Sequence, residues 1–344
     1  YVPGVSMAQG EGNRETPVIR GNSTTGDFFL DGMRDDVQYY RDLYNVQQVE
    51  VLKGPNGALF GRGGVGGLIN RVSKQPVFDP VRSISLQLGS FENRRVTADF
   101  GDALTDSVAF RINGVYEDSE SYRDDVTLER YGINPTVTFR VGDRTTVTAG
   151  VEYFHDERIA DRGVSSFQGR PLETRRGEFF GDPDQSPVEA TVRMANLLVE
   201  HRFSDDVVLR NRTRYSDYDK FYQNVFAGAV NTTTVGSNPP GTLVSLTAYN
   251  NATQRENFFN QTDLNFTLTT GAVTHKFLAG IELGRQDTEN FRNTGYFDTV
   301  APGATSIQVP ISDPRTTLPV SFRQSATDAD NDGTAKIAAV YLHD

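Results

Sequence analysis

With 344 residues, no cysteine and a formal charge of −11, the chain offers no disulfide framework or thiolate metal site. Its acidity argues against sequence-independent nucleic-acid binding, which needs a basic surface. No run approaches the roughly 18 consecutive apolar residues of a spanning helix, whereas a barrel, in which only alternate residues face lipid, stays open to such a sequence.

Residues 1–10 lack the basic start and apolar core of a secretory signal. The last ten residues read as a strand that stops at a raw sheet edge, so both ends are taken as cut points in a longer protein. Up to about Pro76 the text is dense in Gly and Asn, broken by short runs such as Thr16-Pro17-Val18-Ile19 and Val49-Glu50-Val51-Leu52. This predicts a small mixed domain of short strands and long loops, with one short helix over 39–46.

After Pro76 a period of two takes over. Ile84, Leu86 and Leu88 alternate with Ser83, Ser85 and Gln87, and Val96, Ala98 and Phe100 alternate with Arg95, Thr97 and Asp99. The pattern recurs at Phe110 and Ile112, at Val137, Phe139 and Val141, and at Val147 through Tyr153. It returns at Leu197 and Val199, in 209–215, at Leu264, Phe266 and Leu268, and in 273–283. About ten strands are expected, the last over 336–343. Short turns at 101–106, 142–144, 204–206 and 270–272 alternate with long polar segments at about 118–130, 158–187, 220–255 and 285–333. Outer-membrane barrels have this rhythm of tight periplasmic turns and long outer loops. A soluble sandwich shares the alternation, but its apolar side needs a partner layer where lipid needs none. Tryptophan is absent, so an interfacial girdle would be built from Tyr and Phe, with Tyr116, Tyr153, Tyr215 and Phe203 as candidates.

Some local signals carry bland explanations. Gly61, Gly63 and Gly66 spell G-x-G-x-x-G, but the text that follows (Leu68-Ile69-Asn70-Arg71-Val72) reads as strand, not as the helix that holds a pyrophosphate. Those glycines are expected to make tight turns where the domain packs on the barrel wall. Asp328, Asp330, Asp332 and Gly333 match half a calcium loop, yet position twelve is Ala339, so an acidic outer loop is the better reading. His155, His201, His275 and His343 are scattered, and no constellation points to an enzyme.

Four stretches carry a resemblance: Phe29-Leu30-Asp31-Gly32-Met33-Arg34, Tyr40-Arg41-Asp42-Leu43-Tyr44-Asn45-Val46, Val49-Glu50-Val51-Leu52-Lys53-Gly54-Pro55 and Leu59-Phe60-Gly61-Arg62-Gly63-Gly64. With Asp161-Arg162-Gly163, Gly169-Arg170-Pro171-Leu172 and Phe179-Phe180-Gly181-Asp182-Pro183 further on, the chain resembles TonB-dependent outer-membrane siderophore receptors over nearly its whole length. The resemblance implies the C-terminal part of a mixed plug domain (1–76) lodged in the N-terminal part of an antiparallel transmembrane β-barrel (77–344). Such barrels have about 22 strands in a full member. It implies uptake of a ferric siderophore, with no covalently bound cofactor and with the iron as cargo. The partners implied are outer-membrane lipid and a TonB-type energy-coupling protein, whose binding box has no match here. Other ligands of the same family class, such as cobalamin or a glycan, remain alternatives, as does a non-transporting β-rich outer-membrane binding protein.

In the family the pocket lies between plug apices and outer loops. That puts Arg14, Tyr39, Tyr40 and Arg41 on the plug side and Arg158, Arg162, Phe167, Arg170, Arg175, Arg176, Phe221 and Tyr222 on the loop side. Guanidinium both stacks on flat rings and donates to oxygen anions, so the arginines of 158–176 favour an anionic catecholate ligand. Arg20 and Lys53 are expected to pair with barrel carboxylates as a plug latch, with Gly54, Gly61, Gly66 and Gly67 shaping the plug against the wall.

Overall fold

The computed structural model describes residues 2–23, 26–54 and 66–344. Strands β1 (Val5–Ala8), β2 (Thr16–Ile19) and β3 (Asn22–Ser23) form one small antiparallel sheet. Arg20 (φ 52°) and Gly21 (φ 82°) make its tight corner between β2 and β3, the paired positive φ values of a primed hairpin turn. A second sheet, in the order β5-β4-β7-β6, joins β4 (Phe28–Leu30), β5 (Met33–Arg34), β6 (Val46–Lys53) and β7 (Gly67–Ser73), with β4 and β7 parallel. Ile19, Phe28 and Ile69 are buried between the two sheets with Val5 and Val51 against them.

The expected helix over 39–46 is absent: residues 38–45 run irregular, with a bend at Tyr39 and a turn at Tyr44-Asn45. Asp42 Oδ1 accepts from the Leu43 and Tyr44 amides (2.7 and 3.0 Å), a local turn that competes with helical pairing. Tyr39 and Tyr44 are both buried, and their rings lie each 6.4 Å from Phe154 of the barrel wall. Tertiary burial overrides the local helical text.

From Val81 on, ten long antiparallel strands follow one another around a curved sheet. They are β8 (Val81–Leu88), β9 (Arg94–Thr105), β10 (Val108–Glu120), β11 (Thr127–Val141), β12 (Thr145–Ile159), β16 (Pro187–Ser204), β17 (Val207–Val230), β18 (Leu243–Thr270), β19 (Val273–Tyr296) and β22 (Asp330–His343). Between them come a two-residue hairpin, β13 (Ser166–Phe167) with β14 (Arg170–Pro171), and three short strands added at the long-loop end: β15 (Gly181–Asp182), β20 (Ser306–Pro310) and β21 (Ser321–Arg323). The fold is therefore a plug domain against an antiparallel partial barrel.

Register fixes which face each side chain takes. Even positions of β17 pair with odd positions of β18 and these with even positions of β19, so Tyr218, Arg255 and Thr288 share the inner face. The apolar runs read from the sequence all take the other face. Ile84, Leu86, Phe139, Val151, Leu197, Phe258 and Ile281 are exposed there, and Tyr116, Tyr215 and Phe203 join them. One polar group interrupts this band: Asn211, Thr213, Asn260 and Thr262 bond one another across β17 and β18 at 2.7 to 3.2 Å. Mutual pairing offsets the desolvation that four lone polar groups would suffer in an apolar face.

Three tight turns fall as expected, at 142–144, Asp205-Asp206 and Gly271-Ala272, while the one expected over 101–106 is shorter, at Asp106-Ser107, because β9 stays paired with β10 through Thr105. Of the long segments, the one at 158–187 also falls as expected, between β12 and β16, but the others are shortened by strand: β10 and β11 leave only residues 121–126 between them, β18 begins at Leu243 and is 28 residues long, and β19 reaches Tyr296. A transmembrane strand needs about 9–11 residues, so these hairpins project far past the apolar band. Their outer ends fold into a cap. Val225, Leu246, Ala248, Phe297 and Ile307 are buried with Leu318, Val320 and Phe322 packed against them. Asp330 and Asp332 lie in β22, while Asp328 accepts from the Ser325 and Thr294 amides (2.9 and 2.8 Å), so the calcium-like text is strand and turn.

The plug meets the wall largely through charges of reversed polarity to those expected, Lys74 with Asp99 of β9 (3.0 Å) being a pair of the expected sense. Lys53 donates to the Pro3 carbonyl (2.8 Å) and Arg20 sits in its hairpin corner; among the described residues neither pairs with a barrel carboxylate. Instead the plug supplies carboxylates and the wall guanidiniums: Asp31 with Arg214 (3.6 Å), Asp36 with Arg255 (3.1 Å), and Asp42 with Arg95 (2.7 Å) and Arg130 (3.0 Å). The glycines also act inside the plug. A Cβ on Gly66 or Gly67 would strike the carbonyls of Ile19 and Leu52, so they allow β7 to approach β2 and β6, not the wall. Gly54 takes φ 78° at the end of β6, and Gly61 lies outside the described residues.

Candidate functional site

At the long-loop end, two adjoining hollows of about 380 and 370 Å³ lie between the plug apices and the inner faces of β17, β18 and β19. Both are bordered by Glu11, Tyr249 and Arg292. Their charged lining is cationic, Arg14, Arg162, Lys220, Arg255 and Arg292 against Glu11 and Asp36, on a chain whose formal charge is −11. A cavity of opposite sign to its surroundings focuses the field on an incoming anion.

Alternation explains how the strands deliver these groups. Lys220, Tyr222 and Phe226 are two or four residues apart on β17, Tyr249, Asn251 and Arg255 on β18, and Asn290 and Arg292 on β19. Tyr222 and Tyr249 stand with ring centroids 5.3 Å apart, and Phe226 meets Tyr249 edge-on at 5.8 Å. Arg292 lies 4.0 Å over Tyr249 and Arg162 lies 3.8 Å over Phe226. At the neighbouring apex Arg158 lies 3.8 Å over Tyr40 and is held bidentately by Asp156 (2.7 and 2.6 Å). Stacking leaves the donors of a guanidinium in its own plane: Arg158 gives its edge to Asp156, while Arg162 meets Glu11 (3.3 Å) and Arg292 meets Asp328 (3.4 Å) through one nitrogen each, so further N–H groups remain for oxygen anions.

Glu11 is the anion in this cationic setting. Its carboxylate meets Arg14 (3.0 Å) from the plug and Arg162 (3.3 Å) from the wall loop. Partial burial alone would raise its pKa, but the Tyr249 hydroxyl and the Arg162 and Arg14 guanidiniums outweigh burial and hold it below the usual carboxylate value.

The expected site residues divide into three groups. Arg14, Arg162 and Tyr222 line the hollows, and Tyr40 with Arg158 forms a stacked pair on the adjacent apex, its hydroxyl donating to the Gln9 carbonyl (3.2 Å). Tyr39 and Arg41 are interior. The Arg41 guanidinium is sandwiched between the Phe28 and Tyr39 rings (4.1 and 4.5 Å), paired with Asp35 (3.1 Å) and bonded to the Tyr39 carbonyl (3.3 Å), so it braces the plug. The others point elsewhere. Phe221 takes the opposite face of β17 from Tyr222, and Phe167 packs with Phe180, Val230 and Val244 in the cap. Arg170 is exposed on β14, Arg175 pairs with Asp124 and Glu178, and Arg176 lies exposed 5.1 Å from the Tyr122 ring.

Sequence reasoning missed Glu11, Asp36, Lys220, Tyr249, Arg255 and Arg292. Parity held the signal: once Tyr222 is placed inside, counting through the β17–β18 and β18–β19 pairings puts Tyr249, Arg255 and Arg292 inside too. The missing quantity was the register.

The plug apex is seated by one close approach. Gly12 has φ 73°, and a Cβ there would stand 2.6 Å from the Asp161 carbonyl oxygen and 3.0 Å from its amide nitrogen. Gly12→Ala is therefore expected to weaken this seating by about 1–3 kcal/mol. The readout is faster hydrogen exchange at residues 10–14 and 160–163; unchanged exchange would mean that the loop yields freely.

Comparison with known proteins bears on the whole arrangement. The TonB-dependent Receptor Plug Domain matches residues 1–68. The catecholate siderophore receptor Fiu of Escherichia coli O6:H1 is 31% identical over 312 residues, covering 84% of this chain and 41% of that receptor. The solved structure of the siderophore receptor PiuA from Acinetobacter baumannii superposes with a TM-score of 0.85 at 23% identity, over 99% of this chain and 51% of that one. The open form of the ferric-catecholate import receptor Fiu from E. coli K12 gives 0.81 at 26% identity, over 99% and 52%. The chain thus spans about half the length of these relatives, or less. A matched plug, an antiparallel wall around it and long hairpins above it agree with sequence identity on one conclusion: the chain belongs to the TonB-dependent siderophore receptors, of which it carries plug domain and part of the barrel.

Proposed function

We propose that the chain forms the plug and the ligand-facing part of the wall in an outer-membrane receptor for energy-dependent uptake of ferric siderophores, with catecholate complexes as cargo. The observation that carries this is the vestibule, where Arg162 and Arg292 lie over the Phe226 and Tyr249 rings (3.8 and 4.0 Å) in a cationic hollow of an acidic chain. Ferric catecholates present flat rings and a surplus of negative charge, and stacked guanidiniums satisfy both. The name of the relative Fiu, a catecholate siderophore receptor, supports the same chemistry. Iron enters as cargo inside the siderophore's own oxygen donors and needs no protein ligand.

On this reading the exposed apolar band meets outer-membrane lipid, the tight turns face the periplasm and the capped hairpins face outward. A TonB-type protein would supply the energy through a segment of the whole receptor. We take Pro76 as the boundary between plug and barrel, a reading supported by the strand-free stretch between β7, which ends at Ser73, and β8, which starts at Val81.

The test is ligand binding to the full-length receptor. Arg292→Ala is expected to weaken binding of a ferric catecholate by about 10- to 100-fold, the loss of one or two charge-assisted contacts. A neutral ferric trihydroxamate should be a poor ligand for the wild type. Equal binding of both complexes, or an Arg292→Ala variant with wild-type affinity, would overturn the reading.

A further inference from the structure

We infer that the Glu11 carboxylate is a placeholder anion, which occupies the cationic centre of the vestibule until a sufficiently anionic ligand exchanges with it. The inference rests on the ferric-catecholate reading of that site and names the residue that sets its charge threshold.

Three observations carry it. Glu11 borders both hollows, and its two carboxylate oxygens reach different elements: Oε2 accepts from Arg14 of the plug (3.0 Å) and Oε1 from Arg162 of the wall loop (3.3 Å). Each cation has a second contact besides Glu11. Arg162 is laid on the Phe226 ring at 3.8 Å, and Arg14 also reaches Asn13 Oδ1 (3.4 Å), so the donors stay in place when the carboxylate leaves. Finally, the Glu11 backbone takes φ 60° and ψ 17°, the left-handed region that side chains with a Cβ disfavour, between Gly10 (φ 30°) and Gly12 (φ 73°). The turn holds this residue at an unfavoured conformation and aims its carboxylate at the two guanidiniums.

Exchange of one oxygen anion for another keeps both arginines paired throughout, so neither is left desolvated and alone. A neutral complex cannot make that exchange and leaves Glu11 where it is. The carboxylate thus weakens binding of every anion somewhat and excludes ligands of too little charge.

The experiment uses the full-length receptor in detergent and two probes, the ferric complex of 2,3-dihydroxybenzoylserine and a neutral ferric trihydroxamate. Glu11→Gln is expected to tighten the catecholate about fivefold, the scale of one unit charge removed at contact distance in a wet site. That gain should shrink at high salt. Glu11→Ala should shift in the same direction, Glu11→Asp should bind like the wild type, and the trihydroxamate should gain nothing. Unchanged or weaker catecholate binding by both Glu11→Gln and Glu11→Ala overturns the placeholder, as does an equal gain for the neutral probe. A wild-type receptor that binds no ferric catecholate overturns the reading of the site itself, and the placeholder with it.

Discussion

Asp35→Asn is expected to destabilise the plug by about 3–5 kcal/mol, the range for removing one partner of a buried ion pair. Asp35 is fully buried and pairs with Arg41 (3.1 Å) and Arg71, while the Tyr218 hydroxyl of the wall donates to it at 2.8 Å. Arg41 would survive the change, because the Tyr39 and Asp35 carbonyls still accept from it (3.3 and 2.8 Å). Arg71 would not: its Nε has no partner, and Asp35 is its ion-pair partner among the described residues. The variant therefore removes the carboxylate in ion-pair contact with Arg71 and leaves that buried guanidinium with only the Tyr39 hydroxyl and the more distant Glu152 to offset its charge. Arg71→Met in the Asp35→Asn background should recover part of the loss, since no charge is then left alone.

The same carboxylate sets an acid limit. Burial raises the Asp35 pKa, but Arg41, Arg71, the Tyr218 hydroxyl and Arg214 outweigh it and bring it down to about 2. A depressed carboxyl contributes stability that is complete above the ordinary value of about 3.9 and is lost as pH falls through the folded one. Plug stability should then fall between about pH 4 and pH 2. Hydrogen exchange of the β4 and β7 amides in the full-length receptor reads both effects. Protection in Asp35→Asn equal to the wild type would refute the interior role of this cluster.

How much of this was legible depends on what each residue faces. Where one face meets an apolar surrounding, composition records it: Val96, Ala98 and Phe100 against Arg95, Thr97 and Asp99 gave the correct face of β9 without any structure. Past the apolar band both faces are polar and the record stops. Asn251, Thr253 and Asn290 bond one another at 2.8 to 3.1 Å across β18 and β19 in text that reads as loop. Strand pairing there is held by backbone ladders and amide side chains, which leave no hydrophobic period.

The plug failed differently. Tyr39, Tyr40 and Arg41 are consecutive, and their chemistry suits a ligand equally well, yet Tyr40 stacks under Arg158 while its neighbours are buried. An irregular segment has no period from which inside can be told from outside. The vestibule needed registers between strands that are neighbours in space, and one sequence does not contain them. The largely reversed polarity of the latch has the same cause: carboxylates at 31, 35, 36 and 42 are plain in the text, but their partners at 214, 218, 255, 95 and 130 are scattered over four strands.

Asp42→Asn should separate docking of the plug from its folding. Asp42 Oδ1 holds the local turn through the Leu43 and Tyr44 amides (2.7 and 3.0 Å), and both carboxylate oxygens meet the wall, at Arg95 (2.7 and 2.8 Å) and Arg130 (3.0 Å). Burial raises its pKa, but the Arg95 and Arg130 guanidiniums prevail and keep it below the usual value, so its contribution too is lost on the acid side. Asparagine retains one acceptor for the turn and presents an amide to a guanidinium. Arg95 keeps Glu117 (2.6 Å) and Arg130 keeps Asp156 (3.1 Å), so no charge is stranded and the loss should be about 2 kcal/mol, less than at Asp35. Exchange should quicken at residues 42–46 and at the facing parts of β9 and β11, while the β4 and β7 amides stay protected. If instead the whole plug loses protection together, docking and folding are one event and Asp42 is part of the core that Asp35 organises.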